Sequence, residues 1–237
     1  MAKSGKLYLI PNTLGPVSIH KVIPSQVIDK VKEIKHFIVE NPKAARAFLK
    51  KIESNYTQDE FIFSVLNKHT SDEEKDSFLD PLEDCVDVGI ITDAGCPGIA
   101  DPGAEMVKLA HEKNYQVIPF VGPSSILLAH MASGMNGQSF AFNGYLPIDK
   151  MDRKKKLKSL EKQSRDFNQA QSFIETPYRS VKMIEEILST CSPSTELCIA
   201  CDVSLDTEFI KTLIVKDWNR NMLSKFQKRP CIFIIQA

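Results

Sequence analysis

Short apolar runs alternate with longer amphipathic stretches along the whole chain, a pattern that predicts an α/β architecture. Lys6–Ile10, His36–Val39, Phe61–Val65, Val88–Thr92 and Gln116–Phe120 read as strands. Between them, Ser25–Ile34, Lys43–Ile52, Asp72–Glu83 and Asp101–Lys113 carry helical spacing. Asp101-Pro102 suits a helix start, because the carboxylate can cap free N–H groups and proline is tolerated at the first helical position. After Gly122 the pattern restarts, with helices over Pro123–Ser133, Met151–Lys162 and Pro177–Ser189. Strands are expected over Phe140–Tyr145, Ser172–Glu175, Leu197–Cys201, Glu208–Val215 and Cys231–Ile235. The first half therefore predicts largely parallel pairing and the second, with its consecutive strands, a mixed sheet. Two α/β domains are expected, 1–122 and 123–237, and no internal repeat is evident.

Charge changes this picture only when it is divided. Thirty basic and thirty acidic side chains in 237 residues sum to zero, which argues against indiscriminate nucleic-acid binding. Residues 1–120 nevertheless hold 14 basic and 18 acidic side chains, and residues 121–237 hold 16 and 12. The N-terminus shows no signal-peptide pattern. The 35 uncharged residues from Asn114 to Ile148 are interrupted by Pro119, Pro123, Pro147 and four glycines, so no membrane span is expected. Six scattered cysteines fit a reducing cytoplasm. Cys198 and Cys201 lie three apart in a strand, facing opposite sides, and read as core thiols rather than shared metal ligands; no metal site is expected.

Eight of the ten glycines fall between Gly89 and Gly144, so the chemistry is expected in the middle of the chain. Three segments at strand ends are candidates. The first is Pro11-Asn12-Thr13-Leu14-Gly15, after the first strand, where α/β sheets bind ligands. The second, Asp93-Ala94-Gly95-Cys96-Pro97-Gly98-Ile99, continues through Asp101 to Gly103 and is longer and stiffer than a plain connection needs to be. The third, Val121-Gly122-Pro123-Ser124-Ser125, brings free N–H groups and two hydroxyls to a helix start. Each can also be read as an ordinary turn or cap. Neither a dinucleotide-binding glycine fingerprint nor a P-loop is present, and Cys96 has no base nearby that would make it a nucleophile.

Together and in this order, the three segments resemble those of the tetrapyrrole (corrin/porphyrin) methylase superfamily. The similarity is greatest to the bacterial 16S ribosomal RNA cytidine 2′-O-methyltransferase family, through Pro11–Gly15, Asp93–Gly103, Val121–Ser125, Gly144-Tyr145-Leu146-Pro147 and Glu175-Thr176-Pro177-Tyr178-Arg179. The resemblance implies two α/β domains of the tetrapyrrole methylase type, a cofactor cleft between them, and a homodimer. It implies that S-adenosylmethionine is bound by Pro11, Asn12, Thr13, Asp93, Ala94, Gly95, Cys96, Pro97, Gly98, Ile99, Ser124 and Ser125. The chain departs from the pattern after Glu40, where Asn41-Pro42-Lys43 replaces Asp-Thr-Arg, and at Cys96 and Tyr178, which replace Thr and His.

The expected acceptor is a ribose 2′-hydroxyl of ribosomal RNA or of the small ribosomal subunit. Residues 150–165 hold eight Lys and Arg, among them Arg153, Lys154, Lys155 and Lys156; with Lys43 these are the candidate RNA contacts, though a solvated helix face is the plainer reading. Methyl transfer to a hydroxyl needs positioning and a proton acceptor. Glu40 and Glu175 are the candidate carboxylates, with Arg179 holding phosphate or buttressing Glu175; structural roles for all three stay open. A small-molecule methyltransferase, for example of a tetrapyrrole, and a weakly active cofactor- or RNA-binding paralogue are the alternative functions.

Overall fold

The computed structural model describes residues 4–55, 57 and 60–237. Its contacts divide the chain into two compact units, with the break between Ser124 and Ser125, two residues beyond the expected boundary.

The first unit is built on β1 (Lys6–Ile10), β2 (His36–Val39), β3 (Ile62–Val65), β4 (Val88–Ile91) and β5 (Gln116–Pro119), in spatial order β3-β2-β4-β1-β5. All its pairings are parallel; Leu7 stands opposite Val88 and Val117, and His36 opposite Val88 and Ile62. A parallel sheet needs cover on both faces, which is why its strands are nearly continuous apolar runs. Tyr8, Ile10, Phe37 and Val39 pack beneath α1 (Ile19–Val22), α2 (Ser25–Glu33) and α3 (Pro42–Ile52), while Leu7, Ile38, Val88 and Ile90 meet Leu79, Leu82 and Met106 on the other face.

The predicted helix over Asp72–Glu83 is shorter than expected. It forms α4 (Asp72–Ser77), opened by a Ser71–Glu74 capping box, and gives way to a 3-10 turn at Asp80–Leu82. Pro81 is the reason: it has no N–H to donate and drives the residue before it out of the helical region. The next helix, α5, runs over Gly103–Glu112, so its start lies two residues beyond Asp101. Asp101 still serves that end, its Oδ1 accepting from the N–H groups of Gly98 (2.8 Å) and Gly103 (2.7 Å).

The second unit begins with α6 (Ser125–Ser133) and carries β6 (Phe140–Tyr145), α7 (Lys150–Phe167), β7 (Ala170–Glu175), α8 (Ser180–Thr190), β8 (Glu196–Cys201), β9 (Phe209–Ile214) and β10 (Cys231–Gln236). Its sheet order is β6-β7-β10-β8-β9, mixed as predicted: β6 runs parallel to β7 and the remaining pairs are antiparallel. Helix α7 is longer than its apolar spacing suggested and stops at Asn168, which adopts the left-handed conformation at φ 46°. Leu157, Leu160, Phe173, Ile184, Trp218 and Phe233 belong to one core under α7 and α8. Cys198 and Cys201 are both buried, and only Cys201 joins that core, as opposite faces of one strand require.

Candidate functional site

The three candidate segments meet at the carboxyl ends of the first unit's strands. Asn12 and Gly95 form a two-way backbone bridge, Asn12 N–H to Gly95 O at 2.9 Å and Gly95 N–H to Asn12 O at 3.2 Å. The Asn12 side chain strengthens it: Nδ2 donates to the carbonyls of Thr92 (3.0 Å) and Asp93 (3.3 Å), and Oδ1 accepts from Thr13 N–H. The third segment locks onto the other two. The Cys96 thiol donates to the Pro123 carbonyl at 3.5 Å, and Gly122 lies so close to Pro11 that a Cβ there would fall 2.2 Å from the proline ring. Pro11, Asn12, Thr13, Gly95 and Pro97 are buried in this junction.

What the junction presents outward is different. Asp93, Ala94 and Ile99 are exposed, and Gly95 (φ 77°) and Gly98 (φ 80°) supply the left-handed conformations that turn the loop. A cleft of about 250 Å³ lies against it, lined by Asn12, Thr13, Asp93, Ala94, Phe48 and Lys51 among others. Ala44, Ala47, Phe48 and Lys51 of α3 also line this cleft. Sequence reasoning passed over them, although their spacing of three, one and three residues marks one helical face. Ser124 and Ser125, both half-buried, end the first unit and open the second.

Glu40 stands at the end of β2, beside the central loop. Its Oε1 accepts from the Thr92 hydroxyl at 3.2 Å. Burial pushes its carboxyl above the ordinary range; the Thr92 hydrogen bond opposes this, and the charges of Asp101 and Asp93 add to it. Asp101 Oδ2 is buried with no hydrogen-bond partner among the described residues. A space of about 10 Å³ lined by Glu40, Thr92 and Asp101 is at the lower limit for a single water. The residues that replace Asp-Thr-Arg after Glu40 have a local task. Asn41 Oδ1 caps α3 by accepting from Lys43 N–H (3.0 Å) and Ala44 N–H (3.4 Å), and Pro42 fills the first helical position. Lys43 itself is exposed.

Glu175 lies in the second unit, at the end of β7, and is 6% exposed. Its Oε1 accepts from Thr176 N–H (2.6 Å) and from Arg179 Nε (3.0 Å) and Nη2 (2.7 Å). Arg179 therefore buttresses Glu175.

One expected RNA contact is overturned. Arg153 is 4% exposed and forms a buried ion pair with Glu186, while its Nη1 donates to the carbonyls of Pro147 (3.0 Å) and Ile148 (2.6 Å). It shares the inward face of α7 with Leu157, Leu160 and Ser164, so it cannot reach a phosphate. Lys155 is exposed but paired with Asp152 at 3.3 Å, and Lys154 and Lys156 are half-buried. Among the described residues no group of three His, Cys, Asp or Glu is placed to hold a metal ion, and no helix is long and apolar enough to cross a membrane.

No protein-family profile matches the chain. A ribosomal RNA small subunit methyltransferase I from Buchnera aphidicola subsp. Schizaphis graminum is 29% identical over 238 residues, spanning 99% of this chain and 79% of the relative. Among solved structures, the methyltransferase CobJ superposes with a TM-score of 0.64 at 15% identity, over 99% of this chain and 95% of that one. The chain has the fold of the tetrapyrrole methylases. A second solved structure of this fold, the uroporphyrin-III C-methyltransferase of Thermus thermophilus complexed with S-adenosylhomocysteine, superposes with a TM-score of 0.56 at 13% identity, covering 98% of each chain. The tetrapyrrole methylase fold accounts for a central loop without the dinucleotide-binding glycine pattern: tight contacts between three loops hold it in place of a glycine-rich helix start.

Proposed function

We propose that this protein is an S-adenosylmethionine-dependent methyltransferase acting on RNA of the small ribosomal subunit. The observation that carries the reading is the match to a ribosomal RNA small subunit methyltransferase I across 99% of this chain, combined with the interlocked loops at the carboxyl ends of β1, β4 and β5. The residues present suit the cofactor. The exposed Asp93 carboxylate can accept from an ammonium or ribose hydroxyls, and peptide groups of the loop from Ala94 to Ile99 can bind polar edges. The cleft of about 250 Å³ is the size of one moiety of such a molecule. Bound there, S-adenosylmethionine supplies an electrophilic methyl group on a sulfonium.

The chain's own work is orientation and proton acceptance. Of the two candidate carboxylates, Glu40 is favoured as the base. It is half-buried, burial raises its pKa above the ordinary carboxylate range, and its donors are the Thr92 hydroxyl and the Asp93 backbone. Glu175 has three donors on one oxygen and is committed to holding the turn from Thr176 to Arg179. The reading includes Lys43 as an outer RNA contact, a homodimer and a cytoplasmic location.

Tritium transfer from labelled S-adenosylmethionine tests the function. Label is expected in the RNA of small ribosomal subunits, at a ribose 2′-oxygen. Label in small tetrapyrroles instead would move the enzyme to the small-molecule class, and no cofactor binding by calorimetry at high micromolar concentration would sink both.

A further inference from the structure

At the carboxyl ends of β6 and β7 the second unit exposes aromatic rings, and the helix after β6 carries a row of lysines. Tyr178 is 83% exposed, in the 3-10 turn Pro177–Arg179. That turn is rigid. Glu175 holds both of its flanks through Thr176 N–H and the Arg179 guanidinium, and Arg179 N–H donates to Thr176 O at 2.9 Å. The backbone that carries the ring is thus held in place before anything binds. Tyr145, 59% exposed, ends the neighbouring strand opposite Ile174, after a register shift and a left-handed Gly144 (φ 61°). The segment that follows is tied down by Arg153, through the carbonyls of Pro147 and Ile148.

Helix α7, which starts five residues after Tyr145, carries a row of positive charge. Lys150, Lys154 and Lys158 are four residues apart on α7 and form a row with a spacing of about 6 Å. Like charges at this spacing destabilise a helix, yet among the described residues none of the three has an ion-pair partner. The nearby carboxylates are committed elsewhere. Asp149 caps α7 through Met151 N–H (2.8 Å) and Asp152 N–H (3.0 Å), Asp152 holds Lys155, Glu175 holds Arg179, and Glu186 holds Arg153. Exposed rings with an uncompensated basic row match nucleic acid whose bases are free to stack, and a duplex hides its base faces.

We propose that this edge binds an unpaired segment of RNA, with the Tyr178 ring stacked on a base and the Lys150–Lys154–Lys158 row against the phosphates. The inference rests on the RNA-methyltransferase reading and adds to it the form of RNA recognised and the surface that recognises it. The test is fluorescence anisotropy with a labelled, unstructured pyrimidine-rich RNA oligonucleotide and with the same sequence annealed to its complement.

The single strand is expected to bind more tightly than the duplex. Tyr178→Ala is expected to weaken binding about ten-fold or more, and Tyr178→Phe to restore it. Lys154→Glu with Lys158→Glu should weaken binding further and flatten its salt dependence by about 0.7 in log–log slope for each charge lost. Calorimetric binding of S-adenosylmethionine should be unchanged in all of them. Equal affinity for single strand and duplex, or wild-type affinity in Tyr178→Ala, overturns the proposal. If ribosomal RNA is methylated and these variants methylate it as well as wild type, this surface is wrong and the enzyme reading stands. If the variants lose RNA binding but no methylation is found in the wild type, the enzyme reading fails and the surface stands.

Discussion

In the first unit both faces of the sheet are sealed by apolar side chains, and the polar groups of interest gather where the strands end. In the second unit charged side chains penetrate the packed layers. Asn12, Glu40, Thr92, Asp93 and Asp101 all sit at or beyond the carboxyl ends of β1, β2 and β4. Arg153, Glu161, Glu175, Glu186 and Asp202 are buried in the second unit, each against a named partner. Glu161, for example, accepts from Ser192 N–H at 2.6 Å and from the Thr195 hydroxyl, tying α7 to the loop before β8. The contrast lies in what each carboxylate has left to offer. A buried charge whose hydrogen bonds are all made holds two elements together, and removing its partner is costly. A half-buried carboxylate with a raised pKa and one side-chain hydroxyl donor is still able to take a proton.

The most forceful way to break this comparison is to treat a group of the second unit as if it belonged to a site. Arg153→Met leaves Glu186 charged and unpaired inside the α7–α8 packing, and a loss of about 3–5 kcal/mol of stability is expected by urea unfolding. Adding Glu186→Leu should return most of it, because two buried charges are then replaced by apolar volume. An unchanged unfolding midpoint in the single variant would show that Arg153 is no strut.

The converse substitution in the first unit is Glu40→Gln, with methyl transfer expected to fall by about 10²-fold or more while the fold persists. The sign of the pH effect sharpens this. With a raised pKa, the folded chain holds the Glu40 proton more readily than the unfolded chain does. The group therefore contributes stability below the ordinary carboxylate range and loses it as pH rises through the raised value. Glu40→Gln should flatten that slope of stability against pH and also abolish the acid limb of the rate profile. Loss of neither would leave Glu40 without a role in proton transfer.

The units also differ in how far their sequence revealed them. Parallel strands buried on both faces are bounded apolar runs, so β1, β2 and β4 were placed within a residue of their observed ends. The three candidate loops are readable for the same reason, since each follows a strand and carries glycine and proline. Their interlocking is not: nothing in Cys96 or Gly122 announces a thiol on the Pro123 carbonyl or a ring against the glycine. In α7 the dense Lys and Arg run concealed a phase. Arg153 falls in register with Leu157, Leu160 and Ser164, which was visible in the spacing, but its partner Glu186 lies 33 residues away on another helix. A charge run read only for its content assigns every member to solvent, whereas helical periodicity assigns one member to the core.

The smallest expected effect concerns the departure that follows Glu40. Asn41 caps α3, so Asn41→Ala should cost about 1 kcal/mol of stability. Asn41→Asp should cost almost nothing, because aspartate caps as well as asparagine and its charge favours a helix N-terminus. The two variants separate folding from chemistry. Asp at this position adds a negative charge beside Glu40 and should move the acid limb of the rate profile to higher pH, while Ala should leave the limb in place. Measured together, unfolding midpoints and pH–rate profiles then distinguish two accounts of the substitution. If Asn41→Asp shifts the limb without changing stability, the amide serves to keep Glu40 from a still higher pKa. If both variants alter only stability, the change after Glu40 is a matter of helix capping alone, and the site is indifferent to it.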